Sequence, residues 1–282
     1  MKKFIKSIAV IGLCFAVVGC TSGGTDDSSV EPTGSTEDTT IVVAATLDPH
    51  SKILEFAAPL LEEKGYTLEI IVLDDYYVFN ESLNSGEVDA NFFQHVPFFN
   101  SEIEAKGYDI VNVAGIHIEP LGFYSKTISD ISELQDNAEI VITNTITDQG
   151  RTLSILEKNG LIELSADVDA LTATISDITV NPKNLQFKEV SPELLTTIFE
   201  QGEGDLVAIN GNYALQAGLN PVTDSVILEE ADSTNPYVNI IAARTDNQDS
   251  DKIKALVEVL TSAEVKTFIE ETYSDGSVIP AK

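Results

Sequence analysis

Thr40-Ile-Val-Val-Ala-Ala-Thr46 is a run of β-branched and small apolar residues that is typical of a buried β-strand. The next apolar residues recur at helical spacing until Lys64-Gly65 ends the pattern: Ile53, Leu54, Ala57, Leu60 and Leu61. A second apolar run, from Thr67 to Leu73, then predicts another strand. The order strand, helix, strand indicates an α/β unit at the start of the folded body.

The same alternation of short strands and amphipathic helices continues toward the C-terminus. The sequence predicts further strands at 110–114, 139–143, 205–209 and 238–243. It predicts helices at 97–106, 149–158, 192–201, 251–260 and 263–272, with Asn80 capping a short helix that ends at Gly86. This pattern favours an α/β architecture with mostly parallel sheets.

Two clusters of chain-breaking residues interrupt the alternation, at Glu119-Pro-Leu-Gly122 and at Asn235-Pro-Tyr237. If the chain crosses between lobes at both points, residues 122–235 form a second α/β lobe. That lobe is inserted into a first lobe made of residues 40–121 and 236–282. Two lobes joined by two short crossings form a hinge that closes on a ligand, so we expect a two-lobed fold with two hinge crossings.

The N-terminal segment has the parts of a bacterial lipoprotein signal. Three lysines precede an apolar run, Ile8–Val18, and small residues precede Cys20. The run is shorter than the ~20 residues that a membrane-spanning helix needs. We expect a signal peptide at 1–19, followed at 20–39 by a lipidated Cys20 and a polar, flexible linker. The acyl chains are expected to anchor the protein at the extracytoplasmic face of the cell membrane.

The charge of the chain excludes one class of partner. The formal net charge is -30, and removing the three lysines of the predicted signal takes it from -30 to -33. Such an acidic body is repelled by nucleic acid, so nucleic-acid binding is excluded. Both cysteines, Cys14 and Cys20, lie in the signal region, so the body has neither disulfide nor thiol chemistry.

The stretch Asp89-Ala-Asn-Phe-Phe-Gln-His-Val-Pro-Phe-Phe99 concentrates four phenylalanines, one histidine and two amide side chains in a short segment. Burial of the rings in a core is one interpretation. The other is a small-ligand pocket, because such pockets combine aromatic walls with a few polar groups. Gln94 and His95 lie among the rings, just before Pro97, where a loop enters a helix.

Arg151 is one of two arginines in the chain, the other being Arg244. Asp148 resembles the N-cap of a helix that runs to Lys158, which would place Arg151 in the first turn. Free backbone N–H groups and the helix dipole favour an anion there, and a guanidinium binds a carboxylate through two hydrogen bonds. A surface arginine paired with Asp148 is the competing interpretation.

The segment Ala208-Ile-Asn-Gly-Asn-Tyr213 ends a predicted strand with two asparagines, Asn210 and Asn212. Ligands bind at the carboxyl ends of strands in open α/β sheets, where an amide can accept from an ammonium group. A turn without function explains the same residues. Asn235 and Asn239, beside the second crossing, have the same two interpretations.

Metal binding and hydrolysis are competing chemistries. His50, His95 and His117, with Glu119 or Asp89, could build a metal site. Their spacing matches no compact ligand motif, however, and phenylalanines are a poor shell for a metal ion. The sequence contains no G-x-S-x-G or H-E-x-x-H motif. We therefore expect no enzyme activity and no cofactor. A metal-binding importer lipoprotein and a surface lipoprotein without a transport role remain alternatives.

Four longer motifs resemble, in the same order, the methionine-binding lipoproteins of bacterial ABC importers, the NlpA-type family. They are Asp89-Ala-Asn-Phe-Phe-Gln-His-Val-Pro97, His117-Ile-Glu-Pro-Leu-Gly122, Ile209-Asn-Gly-Asn-Tyr-Ala214 and Asn235-Pro-Tyr-Val-Asn-Ile-Ile-Ala242. The resemblance implies a two-lobed periplasmic-binding-protein-like (type II) fold. It also implies capture of L- or D-methionine, or a close analogue, for delivery to the transmembrane subunit of an ABC permease.

The resemblance implies roles for individual residues. Arg151 is expected to hold the ligand carboxylate, and Asn210 and Asn239 are expected to orient its polar end. The pocket for the ligand side chain is expected to be lined by Tyr76, Phe93, His95 and Phe98. The chain departs from the family at 143–148, where Thr-Asn-Thr-Ile-Thr-Asp replaces the usual Pro-Asn-Asp-Pro-Thr-Asn, and at Phe98, where tyrosine is typical. A methionine derivative or a dipeptide is therefore an alternative ligand.

Overall fold

A computed structural model describes residues 38–231 and 235–281 of the chain. Residues from Asp38 onward form one compact unit. The predicted signal peptide and the predicted lipidation site, Cys20, lie outside the described residues. Within them, no helix combines the length and the apolar character needed to cross a bilayer.

The described strands and helices alternate along most of the chain. The strands are β1 Thr40–Ala45, β2 Thr67–Val72, β3 Ala90–His95, β4 Ile110–Ile118, β5 Gly122–Tyr124, β6 Glu139–Thr143, β7 Glu163–Leu164, β8 Ile178–Val180, β9 Gln186–Val190, β10 Leu206–Ile209, β11 Ile227–Leu228, β12 Val238–Arg244 and β13 Ile279–Pro280. The helices are α1 Lys52–Glu62, α2 Tyr76–Ser85, α3 Val96–Lys106, α4 Ile146–Lys158, α5 Leu195–Gln201, α6 Gly211–Gln216, α7 Pro221–Asp224, α8 Asp251–Leu260 and α9 Ala263–Thr272.

The first sheet has six strands in the order β13-β4-β12-β3-β1-β2. Strand β1 is parallel to β2 and β3, as expected for strands joined through helices. Strand β12 is antiparallel to both β3 and β4, because the chain reaches it from the second sheet and not through a parallel crossover. Its residue Asn239 lies opposite His95 on one side and His117 on the other.

The second sheet has five strands in the order β11-β5-β10-β6-β9. Strands β10, β6 and β9 are parallel, and β5 is antiparallel to β10 and β11. The prediction of mostly parallel sheets is therefore wrong: both sheets are mixed. The first sheet draws its strands from residues 40–118 and 238–280, and the second draws them from 122–228. The predicted lobes, 40–121 with 236–282 and 122–235, stay a prediction as separate domains.

Three groups of buried side chains form the core. One lies between the first sheet and helices α1, α8 and α9, and another lies between the second sheet and α4. The third contains residues from both sheets, such as Phe93 of β3 and Val207 of β10. Because this third group is shared, it holds the elements of the two sheets close together around the region described below.

Two predicted helix starts are wrong. Helix α2 begins at Tyr76, and its N-cap is Asp75, whose Oδ1 accepts the backbone N–H of Tyr77 at 2.9 Å. Asn80 is instead a buried residue in the middle of the helix. Helix α4 begins at Ile146 after Thr145, so Asp148 is not its N-cap and Arg151 lies in the second turn. The argument from free N–H groups therefore does not apply to Arg151.

Gly150 allows α4 to pack closely against a neighbouring loop. A Cβ added at Gly150 would lie 2.5 Å from the carbonyl oxygen of Ala170, a backbone atom that cannot rotate away. We expect Gly150→Ala to lower the free energy of unfolding by about 1–3 kcal/mol, although alanine favours helices. Urea unfolding at equilibrium measures this loss. Lys158→Ala, an exposed change in the same helix, should stay within about 0.5 kcal/mol of the parent; equal losses for the two variants would contradict the packing argument.

Candidate ligand-binding site

A small cavity lies between elements of the two sheets, with about 360 Å³ of empty space when the open solvent at its mouth is included. All seven predicted ligand-binding residues line it. The lining residues are Tyr76, Phe93, Gln94, His95, Phe98, Glu119, Asp148, Arg151, Asn210, Gly211, Asn212 and Asn239. The structure therefore brings together side chains that are up to 163 positions apart, from Tyr76 to Asn239. Their role in binding a ligand remains a prediction at this stage.

Three aromatic rings form one wall of the cavity. The ring centroids of Tyr76 and Phe93 are 5.8 Å apart, those of Tyr76 and Phe98 are 6.0 Å apart, and those of Phe93 and Phe98 are 5.9 Å apart. Burial raises the pKa of Tyr76 well above its ordinary value. The phenol donates a hydrogen bond to Asn212 Oδ1 at 2.5 Å, so the ring is held in place by a contact between elements of the two sheets.

His95 and Asp148 form a buried hydrogen bond across the same cavity. His95 ends β3 and caps α3, where its Nδ1 accepts the backbone N–H of Phe98 at 3.2 Å. The ring proton therefore lies on Nε2, which donates to Asp148 Oδ1 at 2.9 Å. Asn210 Nδ2 donates to the other carboxylate oxygen at 3.1 Å. Burial alone would raise the pKa of Asp148, but His95, Arg151 and Asn210 lower it below its ordinary value.

Arg151 is buried and is bound chiefly by Glu229. Its Nε donates to Glu229 Oε1 at 3.0 Å, and Nη2 donates to Glu229 Oε2 at 2.5 Å and to the carbonyl of Glu119 at 2.7 Å. Although burial lowers the pKa of Arg151, Glu229 raises it above the ordinary value. Nη1 lies 3.9 Å from Asp148 Oδ1. The interpretation of Arg151 as an exposed surface residue paired with Asp148 is therefore wrong.

Two amide atoms that belong to lining residues have no hydrogen-bond partner among residues 38–231 and 235–281. They are the acceptor Asn210 Oδ1 and the donor Asn212 Nδ2. Both residues are more than nine-tenths buried. A buried polar atom without a partner costs about 1–3 kcal/mol, so such atoms indicate a missing polar partner. An acceptor and a donor on one wall suit a ligand that carries both an ammonium group and a carboxylate.

Glu119 lies at the first crossing and is surrounded by two histidines. His117 Nε2 donates to Glu119 Oε1 at 2.7 Å, and His50 Nε2 lies 3.3 Å from the same oxygen. His50 also bonds Asn239 Oδ1 at 3.1 Å. Burial lowers the pKa of His50 to about 4 and that of His117 to about 3, and burial raises the pKa of Glu119.

The three histidines do not meet as the metal-binding alternative requires. The ligand atoms of His50, His117 and Glu119 lie within 4.8 Å of one another, whereas His95 bonds to Asp148 outside this group. Asn235 also differs from its expectation, since it lines a neighbouring pocket beside Tyr237 and does not line the cavity.

Sequence reasoning did not identify the three carboxylates of this region as site residues. Glu119 was considered as a possible metal ligand and as part of a chain-breaking segment, and Asp148 was considered as a helix cap or as the partner of a surface Arg151. Glu229 is 78 positions from Arg151, and no sequence pattern connects the two. Pairing of buried charges is a tertiary property, so the local sequence contains no signal for it.

Comparisons with known proteins agree with this architecture. The model of the NlpA lipoprotein family matches residues 41–282. The methionine-binding lipoprotein MetQ of Bacillus subtilis is 47% identical over 281 residues, which cover 99% of each chain. A nutrient binding protein from Burkholderia cenocepacia bound to methionine is 34% identical, with a TM-score of 0.81 over 86% of this chain and 100% of that chain. A periplasmic substrate-binding protein of an ABC transporter from Coxiella burnetii is 35% identical, with a TM-score of 0.79 over 86% of this chain and 100% of that chain.

The fold and the cavity between its two sheets define a substrate-binding protein of the periplasmic type, and the predicted α/β class is confirmed. Family membership follows from the match of the family model to residues 41–282 and from the 99% coverage of the Bacillus subtilis relative. The chain belongs to the NlpA lipoprotein family.

Glu229 should be essential for stability because it neutralises the buried Arg151. We expect Glu229→Gln to lower the free energy of unfolding by about 3 kcal/mol, since it leaves a buried charge without its partner. Glu203→Gln is the matched control, because Glu203 forms an ion pair with Lys188 at 2.9 Å in which both side chains are substantially exposed. That variant should lose less than about 1 kcal/mol. Equal midpoints of urea unfolding for the two variants would show that burial does not set the cost.

The neutral His50 and His117 should make the protein sensitive to acid. Their pKa values in the folded state, about 4 and about 3, lie below the ordinary value of 6.5, so the unfolded chain takes up protons first as the pH falls. Stability is therefore lost below about pH 6.5, by up to ~1.4 kcal/mol per pH unit for each histidine. Protonation of Glu119 acts in the opposite direction, because burial raises its pKa.

Urea unfolding at pH 7 and pH 5 measures this sensitivity. We expect His117→Gln to show a smaller decrease in the free energy of unfolding between the two pH values than the parent, because one of the two histidines no longer titrates. An unchanged decrease would mean that His117 is not held neutral in the folded protein.

Proposed function

We propose that this protein is a lipid-anchored substrate-binding protein of an ABC importer that captures methionine or a close analogue in the cavity. The observation that carries the proposal is the pair of buried, unpartnered amide atoms, Asn210 Oδ1 and Asn212 Nδ2, beside Arg151 and an aromatic wall. A free amino acid has an ammonium group, a carboxylate and a side chain, and the cavity offers a partner for each.

In this proposal the polar end of the ligand binds near Arg151. The ligand carboxylate accepts hydrogen bonds from Asn212 Nδ2 and from Arg151 Nη1, the guanidinium nitrogen that does not bind Glu229. The ammonium group donates to Asn210 Oδ1, and Asn239 supports this end through its bond to His50. Each contact uses a group whose hydrogen-bonding capacity is not fully used inside the protein.

The side chain of the ligand lies against Tyr76, Phe93 and Phe98. A thioether packs favourably on aromatic rings, with the sulfur about 5 Å from the ring. The three ring centroids are each about 6 Å from the others. A sulfur atom above the centre of this triangle can therefore lie about 5 Å from all three rings. His95, held by Asp148, closes the wall beside Phe98. Methionine therefore satisfies the apolar part of the cavity as well as its polar part.

Closure around the ligand is the mechanism, and we infer no catalytic step. Tyr76, Phe93 and His95 come from the first sheet and its helices, and Arg151, Asn210 and Asn212 come from the second. A ligand that contacts both groups of residues binds the closed form more tightly than the open form, and it therefore stabilises the closed form. We also infer that Cys20 carries the lipid, that the protein faces outward from the membrane, and that its partner is the transmembrane subunit of an ABC permease. The names of two relatives, a methionine-binding lipoprotein and a periplasmic substrate-binding protein of an ABC transporter, support this inference.

Mass spectrometry of small molecules released from denatured, freshly purified protein tests the ligand. A protein that begins at residue 38 is suitable, because residues from Asp38 onward form one compact unit. We expect methionine or a methionine derivative in near-stoichiometric amount. If no amino acid is released and titration calorimetry detects no binding of L- or D-methionine or its derivatives, the proposed function is wrong.

A paired substitution tests the polar end of the site. Arg151→Gln combined with Glu229→Gln removes both members of the ion pair, so neither partner of the pair is left as a charge without its counter-ion. We expect methionine affinity, measured by titration calorimetry, to fall about 100-fold, as for loss of hydrogen bonds to a charged group. Tyr77→Phe, which removes an exposed hydroxyl 3.5 Å from Thr145, is the control and should change the affinity less than about twofold. Unchanged affinity of a folded double variant would remove Arg151 from the site.

A further inference from the structure

The cavity contains more negative charge than its cations neutralise. Of the described residues that line it, Arg151 is the one lysine or arginine, and Glu229 already neutralises that guanidinium through hydrogen bonds to Nε and Nη2. His95 Nε2 bonds Asp148, and its Nδ1 accepts the backbone N–H of Phe98. Asp148 therefore remains as a carboxylate without a full counter-charge, 1% exposed and held by His95 and Asn210.

Burying a charge without a counter-charge raises the free energy of the closed protein. The size of this penalty depends on the charge of the ligand that fills the cavity. Free methionine is a zwitterion with no net charge, so its binding does not change the net negative charge of the closed cavity. The carboxylate of any amino-acid ligand bound in this way would lie near Arg151 Nη1, which is 3.9 Å from Asp148 Oδ1, so it would share one guanidinium edge with Asp148. A ligand with a net positive charge balances the closed cavity.

The aromatic wall indicates where an additional positive charge would lie. A point above the triangle of Tyr76, Phe93 and Phe98 is within about 6 Å of all three ring centroids, which is the reach of a cation–π contact. Aromatic cages of this kind bind alkylated cations. Asp148 is close enough to act on this wall, since its charge contributes to the raised pKa of Tyr76 and its partner His95 lies 6.3 Å from the Phe98 ring.

We propose that this protein prefers methionine derivatives with a permanent positive charge on the side chain, the sulfonium class, over methionine itself. This inference rests on the proposed function and assigns its ligand. The zwitterionic end of a sulfonium ligand binds Arg151, Asn210 and Asn212 as methionine does. The sulfonium centre lies against the three rings, where the field of Asp148 stabilises it. Asp148 is thus the residue that selects for charge.

Titration calorimetry of the protein with three ligands tests the preference. S-methyl-L-methionine has a sulfonium group, L-methionine has a neutral thioether, and L-homoleucine has the shape of the sulfonium compound with CH in place of the charged sulfur. We expect the sulfonium compound to bind about tenfold or more tightly than either neutral ligand. Homoleucine separates the effect of charge from the effect of the extra methyl group.

Asp148→Asn tests the cause of the preference. The amide keeps an oxygen for His95 Nε2 and removes the charge, so we expect the preference for the sulfonium ligand over homoleucine to fall to about twofold or less. Asp74→Asn, which changes an exposed carboxylate next to the tyrosine contact at Asp74 O, should leave the preference unchanged. Thermal unfolding reports whether each variant is folded.

The possible results separate this inference from the proposed function. If methionine binds as tightly as the sulfonium ligand or more tightly, the inference is wrong and the proposed function stands. If the sulfonium ligand is preferred but a folded Asp148→Asn variant keeps the same preference, the assignment to Asp148 is wrong. If the protein binds none of the three ligands, the proposed function fails as well. The parent protein alone decides the first and third cases, so the test does not depend on the folding of the variant.

Discussion

The Arg151–Glu229 ion pair is the interaction on which the region around both crossings depends. Glu229 Oε2 accepts the backbone N–H of Leu121 at 3.1 Å as well as the guanidinium, and Arg151 Nη2 also donates to the carbonyl of Glu119. Helix α4, the first crossing and the segment after β11 are therefore joined by one set of buried hydrogen bonds. Removing two charges from water costs several kcal/mol for each ion, so the pair is stable because these additional bonds satisfy the remaining polar atoms. The same arrangement leaves Nη1 available at the cavity.

Close backbone approach at Gly211 completes the site that this ion pair organises. A Cβ at Gly211 would lie 2.7 Å from the Cβ of Glu119, so only glycine lets the start of α6 reach the first crossing. Asn210 and Asn212 flank this glycine, and the close approach places both amides at the cavity. On the other side, the hydrogen bond from His117 Nε2 holds the Glu119 carboxylate, and His50 Nε2 lies 3.3 Å from the same oxygen. The polar wall is thus built from backbone proximity, and its asparagine side chains are positioned by hydrogen bonds to Tyr76 and Asp148.

The sequence predicts those parts of the structure that depend on local pattern. Strands β1 and β6 and helices α8 and α9 were predicted within about one residue, because each has a clear apolar period and a capping or breaking residue. The short strand β5 and strand β9 were not predicted, since β9 has no buried face and β5 has only three residues. The antiparallel insertion of β12 was missed because the order of strands in a sheet is not encoded in the spacing of apolar residues.

The same distinction applies to the site. A dense local motif indicated a possible pocket, and the family resemblance assigned His95, Phe93 and Phe98 to it; all three line the cavity. Arg151 was predicted for a partly wrong reason, because its environment is set by Glu229 and by the loop at Glu119 and not by the end of its own helix. Asp148 was assigned to a cap, although its oxygens bond to His95 and Asn210 in other elements. Charge balance in a buried cavity depends on which residues from distant parts of the sequence come together. No local sequence pattern shows this, so it is seen only in the folded structure.

The described contacts also explain why a ligand should control closure. Several hydrogen bonds join the two sets of elements directly, among them Tyr76 to Asn212, His95 to Asp148, and Tyr213 Oη to the carbonyl of Asp74. Each contributes about 1 kcal/mol, whereas each unpartnered amide atom, Asn210 Oδ1 and Asn212 Nδ2, costs about as much when it is buried. In the open form water can bind these atoms, so their cost arises only on closing. A ligand that forms hydrogen bonds with both atoms removes this free-energy cost from the closed form and leaves the open form unchanged. Closure therefore depends on the ligand.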